Sequence, residues 1–219
     1  MFCVPTKEQQ FVVTLMRWFA VNQEKDLPWR ETTEPWPTLV AAVLLRNTTT
    51  KQVKQVYVPF VGLYSSPMAL AVERTETLRQ ILQPLGMSRI KATQLRKMAR
   101  ALVRRYKGRV PDSREALLGL PGVGEYITSE VLSVAFDKDE PMLDRNLERV
   151  LARFFSINLR ASSTREIWSF ATSLVPAGDG REFGYAAIDF AHAICKLRNP
   201  LCMSCPLGQW CNFKRSMTS

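Results

Sequence analysis

Residues 111–155, PDSREALLGLPGVGEYITSEVLSVAFDKDEPMLDRNLERVLARFF, constrain the fold more than any other stretch of the chain. Two helical patterns flank the glycine hairpin Leu120-Pro121-Gly122-Val123-Gly124, and a third begins at Asp144. Asp112 stands where it can cap the first helix, with Glu115 reaching back, and Leu117, Leu118 and Leu120 supply an apolar side. Pro121-Gly122 stops that helix. Gly122 and Gly124 permit positive φ and leave the hairpin backbone bare, so successive N–H groups can face an anion where the next helix presents its positive end. A nucleic-acid phosphate suits that place. Tyr126 falls in the first turn of the second helix, whose Ile127, Val131, Leu132 and Val134 keep helical spacing. Asp137 to Pro141 form a polar break, and Asp144 stands at the next helix start. Taken singly, such a hairpin is a common helix connection, and an aspartate ahead of a helix is usually a cap. The hairpin, the hydroxyl two positions past it and an aspartate about twenty residues on together carry a functional reading.

The rest of the chain reads as helix. Phe11, Val12, Leu15, Met16, Trp18 and Phe19 recur at three- and four-residue spacings, predicting an amphipathic helix from Glu8 to Val21 that ends at Leu27-Pro28-Trp29-Arg30. Glu31 to Pro37 is polar with two prolines, which predicts an extended connection. A buried helix from Thr38 to Leu45 leads into the polar tip Asn47-Thr48-Thr49-Thr50. Lys51–Leu63, Pro67–Arg74, Glu76–Leu82, Thr164–Leu174 and Phe183–Ile194 follow the same spacing. Between them a basic helix, Ser88–Tyr106, carries Arg89, Lys91, Arg96, Lys97, Arg100, Arg104 and Arg105, most of them read as a solvated face. His192, the only histidine, falls on the apolar face of its helix and reads as a core residue. No period-two stretch predicts a strand, so the expected fold class is all-α. The N-terminal helix can pack with C-terminal helices, which predicts one domain over 28–138, with six helices including the hairpin pair. The other is discontinuous, from 1–27 and 139–219.

With 219 residues, 46% hydrophobic and 23% charged, the chain has the balance of an ordinary globular protein. Thirty Lys and Arg against twenty Asp and Glu give a net charge of +10, which favours an acidic partner such as nucleic acid or anionic membrane. There is no apolar run of membrane-spanning length and no secretion signal, so the expected location is intracellular, cytoplasmic or nucleoid, or nuclear in a eukaryote. Cysteines in such a compartment are reduced thiols or metal ligands more often than disulfides. Cys195, Cys202, Cys205 and Cys211 form C-x6-C-x2-C-x5-C within seventeen residues. That density suits four thiolates around one zinc or around a [4Fe–4S] cube. Cys3, the odd one out, reads as a small buried hydrophobe. Lys196, Arg198, Lys214 and Arg215 surround the cluster, so a structural cofactor would hold a basic loop against phosphate.

This cysteine spacing, with L-P-G-V-G and Asp144, resembles the endonuclease III superfamily of helix-hairpin-helix DNA glycosylases. The likeness extends from Leu27-Pro28-Trp29-Arg30 through Ala42-Val43-Leu44-Leu45 and Leu85-Gly86-Met87 to Asp189-Phe190. It is greatest to the mismatch-specific thymine–DNA glycosylases, with the adenine glycosylases next. The resemblance implies two helical domains with a cleft that takes a flipped nucleotide, a [4Fe–4S] cluster on the four cysteines, and a monomer acting on double-stranded DNA with a mismatch or damaged base. Asp144 matches the catalytic aspartate, which would stabilise positive charge at C1′ or assist the attacking water; a helix N-terminus favours negative charge there. Strand-cutting members carry a Schiff-base lysine where this chain has Tyr126, and a phenol forms no imine. A monofunctional glycosylase that leaves an abasic site is therefore expected, with Tyr126 lining the base pocket. Leu120, Gly122, Val123 and Gly124 match the phosphate-binding hairpin, with a monovalent cation as a further expectation. Asn47 and Met87 match the wedge that fills the space of the flipped nucleotide. Asn47 has a rival role as helix cap, and Met87 as a core or loop residue.

Ala42 stands where adenine and thymine glycosylases of this architecture carry a glutamate. Adenine leaves poorly without protonation, whereas thymine or uracil leaves as a stabilised anion, so the expected substrate is thymine or uracil opposite guanine. The adenine glycosylases, acting opposite guanine or 8-oxoguanine, are the second reading; only eight residues follow Cys211, and Met87 replaces their aromatic wedge. A DNA-binding module without catalysis is the third. A strand-cutting enzyme would need Lys91, Lys97 or Lys138 to reach the cleft.

Overall fold

The structure, a computed structural model, describes residues 5–218, the side chain of Thr218 apart. Cys3 lies outside the described residues. Among the described residues there are helices and 3₁₀ turns and no strand. None of these helices is long and apolar enough to cross a membrane. Contacts divide the chain into two units, Asp26–Phe136 and Met1–Lys25 with Asp137–Ser219.

Helix α1 (Lys7–Asn22) opens the chain with a capping box between Thr6 and Gln9. In the unit Asp26–Phe136, a 3₁₀ turn (Pro28–Arg30) precedes α2 (Pro35–Leu45), α3 (Thr50–Leu63), α4 (Pro67–Val72) and α5 (Thr75–Ile81). A second 3₁₀ turn (Gln83–Leu85) leads to α6 (Ser88–Tyr106), α7 (Arg114–Leu118) and α8 (Glu125–Ala135). Helix α2 starts three residues earlier than its apolar run suggests. Pro35 occupies its first turn, where the missing N–H costs nothing, so the extended connection ends at Glu34. Residues 38–44 of α2 are all buried, and α2 packs on α8. Helix α4 stops at Val72 rather than Arg74, because Glu73 turns extended and its carboxylate accepts the Arg74 N–H and the Tyr64 hydroxyl. Ser113, not Asp112, caps α7: its hydroxyl accepts the Ala116 N–H at 3.3 Å, and Asp112 remains exposed one residue outside the helix.

The second unit holds α1, α9 (Arg145–Phe155), α10 (Thr164–Ser173), α11 (Gly180–Ala193) and α12 (Asn212–Thr218). Phe11 of α1 meets Phe154 of α9 with tilted rings 5.0 Å apart, and Trp18 packs edge-to-face with Phe190 of α11 at 5.2 Å. A side chain at Gly184 would collide with Met142 Sδ at 2.5 Å, so this glycine lets the segment before α9 lie close against α11. His192 is exposed and does not belong to the core. The buried face of α11 is Phe183, Ala186, Ala187 and Phe190, and His192 falls in the last turn, where a basic group suits the negative helix end.

Candidate active site

The hairpin is built by α7, a turn through residues 119–124, and α8. Gly122 has φ +77, whereas Gly124 is extended with φ −111, so only the first glycine uses its conformational freedom. A Cβ on Gly122 would also meet the Gln94 side chain at 2.3 Å. The space beside the Gly124 Cα is open. Leu120 and Val123 bury their side chains, and the Val123 N–H turns inward to the Leu120 carbonyl at 3.2 Å. That leaves the Gly122 and Gly124 N–H groups without a protein partner among the described residues, beside the N-terminus of α8. Donors of this kind bind phosphate oxygens.

Two other loops adjoin the hairpin unit's helices. Asn47, exposed with φ +55, sits in the α2–α3 turn, and it does not cap α3; Thr49 does, in a capping box with Gln52. Met87 precedes α6 with φ +43 and is 47% exposed, so it is no core methionine. Arg46 Nη1 donates to the Gly122 carbonyl at 3.3 Å, which joins the Asn47 turn to the hairpin. Tyr126 is half-buried against the core of this unit, and Ala42 is 1% exposed. Lys91 departs from the solvated face expected of α6. It is 4% exposed, and its Nζ donates to the carbonyls of Val43, Leu44 and Arg46 at 3.3, 2.9 and 2.7 Å. Burial, and then the Arg46 charge, push the amine down to about 8.

In the other unit Asp144 is the N-cap of α9. Its Oδ1 accepts the N–H groups of Asn146 and Leu147 at 2.8 and 2.9 Å, and its Oδ2 accepts Asn146 Nδ2 at 2.6 Å. Both oxygens are thus oriented, on a half-buried side chain. One turn on, burial and then the Asp144 charge hold the Glu148 carboxyl above its ordinary range.

The four cysteines line one half-open hollow, together with Arg153, Ile194, Leu201 and Phe213. Helix α9 holds their loop: Arg149 Nε donates to the Cys195 carbonyl at 3.0 Å, and Arg153 donates to the carbonyls of Lys196 and Leu197 at 2.6 and 3.1 Å. Burial pushes the Cys205 thiol up to about 11, and burial with the neighbouring cysteines raises Cys202. Among the described residues no group of three His, Cys, Asp or Glu side chains is placed to hold a single ion. The Leu201 N–H returns to the Ile194 carbonyl at 2.9 Å and closes the turn between Cys195 and Cys202. Lys196 and Arg198 are exposed on this loop.

Sequence spacing did not mark Arg46, Gln94, Asn146, Arg149 or Arg153. Of these, Arg149 and Arg153 had a legible signal, two arginines four residues apart on the helix that Asp144 starts.

Residues 40–175 match the profile of the family described as HhH-GPD superfamily base excision DNA repair protein. A thymine/uracil-DNA glycosylase of Pyrobaculum aerophilum is 46% identical over 204 residues, spanning 91% of this chain and 89% of the relative. A thymine-DNA glycosylase of Aeropyrum pernix is 44% identical over 202 residues, 90% of this chain and 91% of the relative. The solved structure of a thermostable thymine-DNA glycosylase superposes with a TM-score of 0.92 at 33% identity, covering 96% of this chain and 97% of the other. With its hairpin, helix-capping aspartate and all-helical fold, the chain belongs to the HhH-GPD superfamily of base excision DNA repair proteins and is one of its DNA glycosylases.

Proposed function

We propose that the protein acts as a monomer on double-stranded DNA and hydrolyses the N-glycosidic bond of thymine or uracil mispaired with guanine, leaving an abasic site. The observation that carries the chemistry is the Asp144 carboxylate, held by three N–H donors so that its oxygens keep one direction. A fixed carboxylate stabilises positive charge as it develops at C1′, or positions the water that attacks there, without reorganising at the moment of reaction. Extrusion of the base precedes the chemistry, and a wobble pair costs less to open than a matched one. Gly122 and Gly124 would hold a backbone phosphate of the same strand, Asn47 and Met87 would occupy the gap, and Lys196 and Arg198 would add charge from the cysteine loop. The names of the two relatives, 46% and 44% identical, support the pyrimidine substrate. Ala42 counts against the adenine reading more than against the pyrimidine one, because a buried methyl group offers no proton to a departing adenine, which needs it, whereas thymine or uracil can leave as a stabilised anion.

The absence of strand cutting rests on Tyr126 and on Lys91. An amine with a depressed pKa is the kind that forms Schiff bases. Lys91, however, spends its amine on three carbonyls inside the fold. Cys195, Cys202, Cys205 and Cys211 would hold a [4Fe–4S] cluster. The shared hollow supports four thiolates as one donor set, and the likeness of their spacing to the endonuclease III superfamily supports a multi-iron cube. The group would be structural, fixing the basic loop.

The test is identification of the free base released from duplexes containing G·T, G·U, G·A and 8-oxoguanine·A pairs. Thymine and uracil are expected, and release of adenine would overturn the substrate assignment in favour of the adenine reading.

A further inference from the structure

Helix α6 touches two of the loops assigned to DNA through side chains one turn apart. The last four carbonyls of a helix have no partner within it. At the end of α2 the carbonyls of Val43, Leu44 and Arg46 are taken by Lys91 Nζ, and that of Leu45 by the Thr48 N–H at 3.1 Å. The ammonium also sits at the negative pole of α2. Three residues on, Gln94 Nε2 donates to the Gly122 carbonyl at 2.8 Å and covers the face of Gly122, where even a Cβ would not fit. Arg46 closes the circuit: its carbonyl accepts from Lys91, and its guanidinium donates to Gly122. The Asn47 turn and the hairpin are therefore linked to one face of α6 and to each other.

We propose that Lys91 and Gln94 are positioning residues that lock the Asn47 turn and the glycine hairpin into one frame, so that strand wedge and phosphate grip meet DNA at a fixed spacing. This rests on the DNA-glycosylase reading above. Holding the Gly122 carbonyl fixes the plane of the Gly122–Val123 peptide, the peptide that separates the Gly122 and Gly124 N–H groups and whose own N–H goes to the Leu120 carbonyl. Both side chains are spent on backbone carbonyls of their own unit, so the frame is expected to act on binding and not on the chemical step.

The experiment compares wild type, Gln94→Ala, Gly122→Ala, the double variant, and Lys91→Met. Each is measured for affinity to a duplex with guanine opposite a tetrahydrofuran abasic-site analogue, for single-turnover rate at saturating enzyme on a G·T duplex, and for Tm. Gln94 is half-buried at the surface, so Gln94→Ala folds with a Tm close to wild type. Its affinity falls about three- to tenfold, the scale of one net hydrogen bond, with the saturated rate unchanged. Gly122→Ala binds more weakly still, and adding Gln94→Ala to it costs nothing further, because the link is already broken. Lys91→Met shows the same split between affinity and rate; if it does not fold, the Gln94 and Gly122 variants decide. Affinity of Gln94→Ala within twofold of wild type, or additive losses in the double variant, would overturn the proposal. Wild type that binds the duplex but releases no pyrimidine would overturn the reading of function, and leaves the frame to be judged on affinity alone.

Discussion

Asp144 and Asn146 are joined twice: the backbone N–H of Asn146 lies 2.8 Å from one carboxylate oxygen of Asp144, and its side-chain amide 2.6 Å from the other. The interactions that cap α9 are the same ones that aim the carboxylate, so the cap is compatible with the catalytic role proposed for Asp144. They separate by mutation. Asparagine caps a helix about as well as aspartate, so Asp144→Asn should leave Tm and affinity for a G·T duplex near wild type. The single-turnover rate should fall by about two orders of magnitude or more. Retained turnover would remove Asp144 from the chemistry.

Borohydride reduction of a reaction on a G·U duplex should trap no covalent protein–DNA adduct. Tyr126 forms no imine, and the Lys91 amine is bound to carbonyls. A trapped adduct that disappears in Lys97→Met or Lys138→Met would show that one of those lysines reaches the sugar.

Lys91 gives a pH signature in stability. Its amine loses a proton near 8 in the folded chain and near 10.5 when unfolded, so between those values the unfolded chain binds more protons. Its contribution is fully present above about 10.5 and is lost as pH falls through 8. The stability of wild type relative to Lys91→Met, from urea unfolding, should therefore rise between pH 7.5 and 10, by up to about 3 kcal/mol. A difference that falls with pH would contradict the assignment.

The cysteine hollow predicts a brown protein absorbing near about 400 nm, as thiolate-bound iron clusters do. Cys205→Ser should bleach it and lower Tm. Arg153→Ala, which frees the carbonyls of Lys196 and Leu197, should lower Tm with the colour kept. Four sulfurs binding one zinc per chain, without iron, would contradict the cluster.

Much of this was legible in sequence, for reasons that particular residues make plain. Helix α6 runs from Ser88 to Tyr106 as its periodicity predicts, and the hairpin and Asp144 stand where their residue types require. Local signals failed where two readings compete within one or two residues: Ser113 took the cap from Asp112, and Pro35 entered α2 instead of delaying it. The helix α12 (Asn212–Thr218) is too short to show a period. Long-range partners were invisible. Lys91 shares the helical stripe of Leu95, Met98 and Leu102, so its burial could be read from spacing where that of Arg89 and Lys97 could not, but its carbonyl partners at the end of α2 left no mark in the sequence. His192 shows the converse, an apparently apolar position that the last turn of α11 leaves in solvent.

The most direct test of the account is a single-turnover assay on duplexes labelled in the pyrimidine strand and carrying T or U opposite G, with each time point divided between alkali treatment and none. A cleaved strand is expected only after alkali, the mark of a glycosylase that leaves an abasic site. Cleavage without alkali would contradict the monofunctional chemistry assigned to Asp144 and Tyr126, and an intact strand after alkali would contradict the pyrimidine substrate itself.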